Sequence, residues 1–168
     1  TGQRITDDWM AQFRARRNEG LLRDVKPIAG AVQAAAALHE AFQGRIACAS
    51  GADRFKVELQ LDKCGLMPYF RGRIFSGHEL PRSKPAPDVY LAAAAALGVD
   101  PARCAVVEDT VTGVTAGVAA GATVWGYSPA EAGHALHQEK QKNGAEPRQQ
   151  RPADREVQEK ALNEKIIL

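Results

Sequence analysis

The chain is short of aromatic side chains, short of cysteine, and without any long apolar run or strong excess of charge. Aromatics make up only 6% of the 168 residues, so a core must be built mainly from aliphatic side chains, among which Leu and Ala dominate. Cys48, Cys64 and Cys104 stand far apart, odd in number and without a C-x-x-C spacing, which argues against a disulfide framework or a cysteine metal knuckle. Buried free thiols in a reducing compartment are expected instead. No run approaches the roughly 20 apolar residues that span a bilayer. The opening TGQRITDDWM has no apolar h-region, so no membrane partner and a cytoplasmic location are expected. With 22 basic and 20 acidic residues, the formal charge of +2 gives no pull toward nucleic acid. There is no G-x-S-x-G elbow, and no motif links the four histidines to a serine, which weighs against a serine hydrolase.

What is present is an alternation of short apolar segments and helical periods. Residues 5–22 read as a helix capped by Thr6 or Asp7, with Trp9, Phe13 and Leu21 or Leu22 as an apolar stripe. Residues 31–42 are alanine-rich, with Val32, Leu38 and Phe42 available to a core, and Gly44 stops them. RIACA at 45–49 suits a buried parallel strand. A helix follows, with Phe55, Leu59 and Leu61 or Cys64 in period, then strand-like RIF at 73–75 and a helix over 87–99 that ends near Gly98. The clearest unit is CAVVEDTVTGVTAGVAAGATVWGY: a strand ending at Glu108 and Asp109, a helix over about 111–120, and a further strand. This order predicts an α/β fold, a parallel sheet with helices on both faces, in which ligands gather at the carboxyl ends of the strands.

Ser50 and the Glu108/Asp109 pair occupy that position, and with Lys84, between two turns, they are the polar groups suited to chemistry. Glu108 and Asp109 could hold Mg2+, a hard ion that prefers oxygen ligands, or Asp109 could simply cap the next helix. Lys84, ahead of Pro85 in PRSKPAPD, is either a stiffly presented charge for a phosphoryl group or an exposed loop lysine. Ser50, followed by Gly51, can face a bound anion, cap the following helix, or do both.

Taken in order, S-G at 50–51, S-K-P-A-P-D at 83–88 and V-V-E-D-T-V-T-G at 106–113 resemble haloacid dehalogenase-like (HAD) hydrolases of the phosphoglycolate phosphatase and beta-phosphoglucomutase-like branch. The resemblance runs from about Leu22 to Tyr127. It implies a HAD-like, Rossmann-like core and Mg2+-dependent transfer of a phosphoryl group from a small phosphorylated metabolite. By the same resemblance, Ser50 and Gly51 bind the substrate phosphate and Lys84 neutralises its charge. Asp109 ligates the metal with Glu108 as its acidic neighbour, while Thr110 and Asp88 support the loops.

The departure from the family pattern is large. Members open with a strand ending in D-x-D, whose first Asp attacks phosphorus, and Asp7 and Asp8 match neither its setting nor its spacing. The resemblance therefore implies a sheet without its N-terminal central strand and without most of a helical cap. Residues 1–22 are read as a cap remnant, 23–137 as an incomplete HAD-like core, and 138–168 as a polar linker. VQEKALNEKIIL at its end is either a closing helix or an appended tail. Flanking strands left with open edges are expected to self-associate unless the tail covers them. The competing reading is a non-catalytic HAD-like remnant that binds a protein partner or an anion, with a dehalogenase a weaker enzymatic alternative.

Overall fold

The computed structural model describes residues 5–127, with two further strands at 146–147 and 165–167. Helix α1 spans Asp7–Asp24, and Thr6 caps it by accepting a hydrogen bond from the Trp9 N–H at 3.2 Å. The expected apolar stripe does not enter a core. Trp9 and Phe13 stack on each other, 5.5 Å between ring centroids, on the exposed side, and no residue of α1 is buried. The helix is tied to the body through Arg17, whose guanidinium donates to Asp53 at 3.0 Å.

Helix α2 (Ala31–Ala41) leads into strand β1 (Ile46–Ser50), and helix α3 (Arg54–Lys63) follows, capped by Asp53. Its inward side carries Val57 and Leu61, whereas Phe55, expected in the apolar period, is 60% exposed. After the short helix α4 (Met67–Phe70), strand β2 (Ile74–Ser76) precedes helix α5 (Asp88–Ala96). Strand β3 (Cys104–Glu108), helix α6 (Val111–Ala119) and strand β4 (Thr123–Gly126) form the unit anticipated from sequence. Strands β5 (Glu146–Pro147) and β6 (Lys165–Ile167) complete a parallel sheet ordered β2-β1-β6-β3-β4-β5.

Strand alternation divides the core between the two faces. Ile46, Ile74 and Ala105 join Ala35, Phe42, Val57, Leu61 and Phe70 on the side of α2, α3 and α4. Ala47, Ala49, Cys104 and Val106 join Val89, Tyr90, Ala93, Val114 and Ala116 beneath α5 and α6. Small residues let the helices approach the sheet: a Cβ at Gly117 would lie 2.7 Å from a Val124 methyl carbon. Of the three free cysteines, Cys104 is buried, while Cys48 and Cys64 are only half-buried.

The expected gap between β1 and β3 is filled. Strand β6 pairs with β1 at Ile46↔Ile166 and Ala47↔Ile167, and with β3 at Cys104↔Lys165, Ala105↔Ile166 and Val106↔Ile167. The tail reading is thereby corrected in part, because residues 165–167 form a strand rather than the end of a closing helix. The remainder of that reading lies outside the described residues. A parallel central strand satisfies backbone groups on both neighbours, each worth ~1–3 kcal/mol when left buried and unpaired.

Deleting residues 165–168 should therefore lower the urea midpoint and promote association through the reopened edges. Equilibrium unfolding and light scattering test this, and an unchanged midpoint in a monomeric variant would contradict the role given to β6.

Candidate active site

The carboxyl ends of β1 and β3 bring together side chains that are far apart in sequence. Ser50 closes β1, Glu108 closes β3, and Asp109 and Thr110 form the turn into α6. Thr110 caps α6, its hydroxyl accepting from the Gly113 N–H at 3.1 Å. Asp109 is therefore not the side-chain cap, and its carboxylate stands at the surface.

Lys84 reaches the same place from the loop ahead of α5. Its ammonium donates to the Ala49 carbonyl at 3.2 Å and forms a hydrogen-bonded ion pair with Glu108 Oε1. The pair is nearly removed from water, with side chains 10% and 9% exposed. The loop is braced by Asp88, which accepts two hydrogen bonds from the Arg82 guanidinium, at 2.8 and 3.2 Å. Lys84 is joined to Pro85 by a cis peptide bond.

Glu108 is saturated as an acceptor. Besides Lys84, Oε1 accepts from the Tyr90 hydroxyl at 2.8 Å, and Oε2 accepts from the Thr110 N–H at 2.9 Å and the Thr110 hydroxyl at 2.8 Å. Burial alone would push its pKa up. The Lys84 charge and the hydrogen bonds from Lys84, Thr110 and Tyr90 outweigh burial and hold the carboxyl below the ordinary glutamate range. The structure thus gives Glu108 the work of fixing Lys84 and the start of α6, and leaves the Asp109 carboxylate open to solvent. Among the described residues no group of three or more His, Cys, Asp or Glu side chains could hold a metal. One open carboxylate is only part of the oxygen shell Mg2+ requires.

Ser50 Oγ accepts from the Ala52 N–H at 3.2 Å, which leaves its hydroxyl proton free to donate outward. Tyr90 escaped the sequence reading, and its signal was a single hydroxyl within the otherwise apolar helix VYLAAAAA. Gly113 stood in the quoted V-V-E-D-T-V-T-G segment without a role: a Cβ there would overlap the Glu108 carboxylate, so only glycine lets α6 start against this strand end.

The family model for haloacid dehalogenase-like hydrolases matches residues 2–121. The chain belongs to the haloacid dehalogenase-like hydrolase family. Hexitol phosphatase B of Escherichia coli (strain K12) is 37% identical over 100 residues, 60% of this chain and 45% of that protein. The 6-phosphogluconate phosphatase of the same strain is 32% identical over 95 residues, 56% of this chain and 43% of that protein. The chain thus spans less than half the length of these curated relatives. Among solved structures, a HAD family hydrolase from Deinococcus radiodurans R1 with bound phosphate and sodium superposes with a TM-score of 0.69 at 32% identity. It covers 86% of this chain and 70% of that one. A putative beta-phosphoglucomutase from Thermotoga maritima, 17% identical, shares the fold with a TM-score of 0.64 over 99% of this chain and 66% of that one.

Two outcomes follow from the saturated carboxylate. Gly113→Ala should cost about 2 kcal/mol or more of stability, because the added methyl forces Glu108 off its donors; chemical denaturation measures it. Since the folded pKa of Glu108 is depressed, its contribution to stability is present above the unfolded value near 4.5 and lost as pH falls through the folded value. Glu108→Gln should flatten that acid limb. An acid limb of identical slope in the variant would show that the ion pair does not set it.

Proposed function

We propose that this chain carries the phosphate- and metal-handling part of a Mg2+-dependent phosphoryl-transfer hydrolase acting on small phosphomonoesters such as sugar phosphates or phosphoglycolate. The observation that carries the reading is the convergence of Ser50, Lys84 and Asp109 from three separate segments on the carboxyl ends of β1 and β3. The names of the phosphatase relatives and the phosphate in the Deinococcus radiodurans structure support it.

The arrangement suits a transferring phosphoryl group because its donors are placed before the substrate arrives. An ammonium carries three N–H donors; Lys84 uses two on Ala49 and Glu108, so one remains for a phosphoryl oxygen. The Ser50 hydroxyl, with the Gly51 backbone beside it, supplies donors from the opposite strand. Mg2+ at Asp109 would supply charge neutralisation at the equatorial oxygens. None of these groups is a nucleophile: the Ser50 hydroxyl is hydrogen-bonded to a backbone N–H and not to a base, Lys84 is engaged with Glu108, and Asp109 is assigned to the metal. By resemblance to the family, the attacking aspartate belongs to a D-x-D segment that this sequence does not contain.

A second reading, a HAD-like remnant that binds an anion or a partner without turnover, is favoured by one observation. Strand β6, which fills the slot between β1 and β3, carries no carboxylate in KII.

The chain alone should release only background phosphate from a panel of phosphomonoesters in millimolar Mg2+, and it should bind Mg2+ weakly. Joined to a D-x-D strand and cap, it should gain Mg2+-dependent phosphatase activity that Lys84→Ala and Asp109→Ala each reduce by about 100-fold or more. Full activity in both variants would remove the site from the reaction, and failure of every joined form to turn over would favour the anion-binding remnant.

A further inference from the structure

We propose that Tyr90 is a positioning residue for the phosphate-facing lysine: its hydroxyl holds Glu108 from beneath while its ring forms the bed on which the Lys84 ammonium rests. This rests on the reading that Lys84 meets a phosphoryl group.

Tyr90 touches both members of the ion pair. Its hydroxyl donates to Glu108 Oε1 at 2.8 Å, the same oxygen that Lys84 uses, and the Lys84 nitrogen lies 4.6 Å from the centre of its ring. A cation over a desolvated ring is attracted by the negative face of the π system. The ring itself cannot wander. Tyr90 is 1% exposed and packed in the cluster formed by Ala47, Ala49, Val89 and Val106.

A lysine ammonium sits at the end of a four-carbon stem with several rotatable bonds, so one hydrogen-bonded carboxylate does not fix its direction. Here three constraints act from different sides: the Ala49 carbonyl at the end of β1, Glu108 at the end of β3, and the Tyr90 face below. Together they leave the remaining N–H to point out of the sheet end. Burial, reinforced by the Glu108 charge, pushes the phenol pKa up, so Tyr90 keeps its proton and remains a donor. A tyrosine that only filled the core would gain nothing from a hydroxyl aimed at a carboxylate or from a ring beneath an ammonium.

The test compares the full wild-type chain with Tyr90→Phe, Tyr90→Leu, Glu108→Gln and the Tyr90→Phe/Glu108→Gln double variant. Two readouts are followed: the side-chain resonances of Lys84 in lysine labelled with carbon-13 at Cε, and the affinity for inorganic phosphate in Mg2+. In the wild type the Lys84 Cε protons should be shifted upfield by the ring. Tyr90→Phe should retain most of that shift but weaken phosphate binding about tenfold or more, the effect of losing one hydrogen bond to a charged group. Tyr90→Leu should abolish the shift and weaken binding further. The double variant should be no weaker than Glu108→Gln alone, because the hydroxyl acts through that carboxylate.

Unaltered Lys84 resonances and phosphate affinity in Tyr90→Phe and Tyr90→Leu would overturn the proposal, as would fully additive losses in the double variant. Should Tyr90→Leu fail to fold, the Tyr90→Phe and Glu108→Gln pair decides alone. Absence of phosphate binding in the wild type would refute the functional reading separately, and the Lys84 resonances would still decide whether Tyr90 orients the ammonium.

Discussion

The buried ion pair between Lys84 and Glu108 is the constraint around which the end of the sheet is organised. Each partner alone would be an uncompensated charge in a site almost closed to water, and removing one member of such a pair is typically destabilising by ~3–5 kcal/mol. Together they join three pieces of chain: the loop ahead of α5, the end of β3 and, through the Ala49 carbonyl, the end of β1. The Thr110 contacts extend the tie to the first turn of α6, and glycine at 113 makes the room it needs. The pair therefore specifies where loops stand as much as it stabilises them.

The same pair explains a division of labour between neighbouring carboxylates. Glu108 and Asp109 differ by one position, but Glu108 is the last residue of β3 and Asp109 the first of the turn into α6. Glu108 turns inward to meet Lys84 and Tyr90, and Asp109 turns out to the surface. Two acidic residues in a row thus yield one internal anchor and one carboxylate open to solvent.

Much of this was legible in the sequence because apolar period and turn chemistry agreed. CAVVEDTVTGVTAGVAAGATVWGY announced its strand, helix and strand, and S-K-P-A-P-D and E-D marked the residues now found together. The misreadings have physical causes. Trp9 and Phe13 fit a helical stripe, but a stripe says only that one face is apolar and not that a partner covers it. Phe55 was named in the helical period of α3, yet Val57 and Leu61 are the residues it buries, because aliphatic residues on both sides of α3 left its inward face ambiguous. Lys165–Ile167 were invisible as a strand for a different reason. Three residues carry too little pattern, and their pairing with Ile46 and Cys104 is set by tertiary vacancy rather than by local preference. Tyr90 matters through its contact with Glu108, 18 positions away and outside any local window, whereas Gly113 stands in the same short motif as Glu108 but shows its reason only once the carboxylate is placed.

The pairing that joins the two halves of the described sheet is the least local one in it. Strands β1 and β2 are neighbours in sequence and in space, and so are β3 and β4, so each half closes over a short stretch of chain. Lys165–Ile167 meet Ile46 and Cys104 only across long stretches of sequence, and the loop-closure entropy of such contacts slows the step that forms them. Assembly of this sheet should therefore be limited by the meeting of its halves around β6 rather than by the growth of either half.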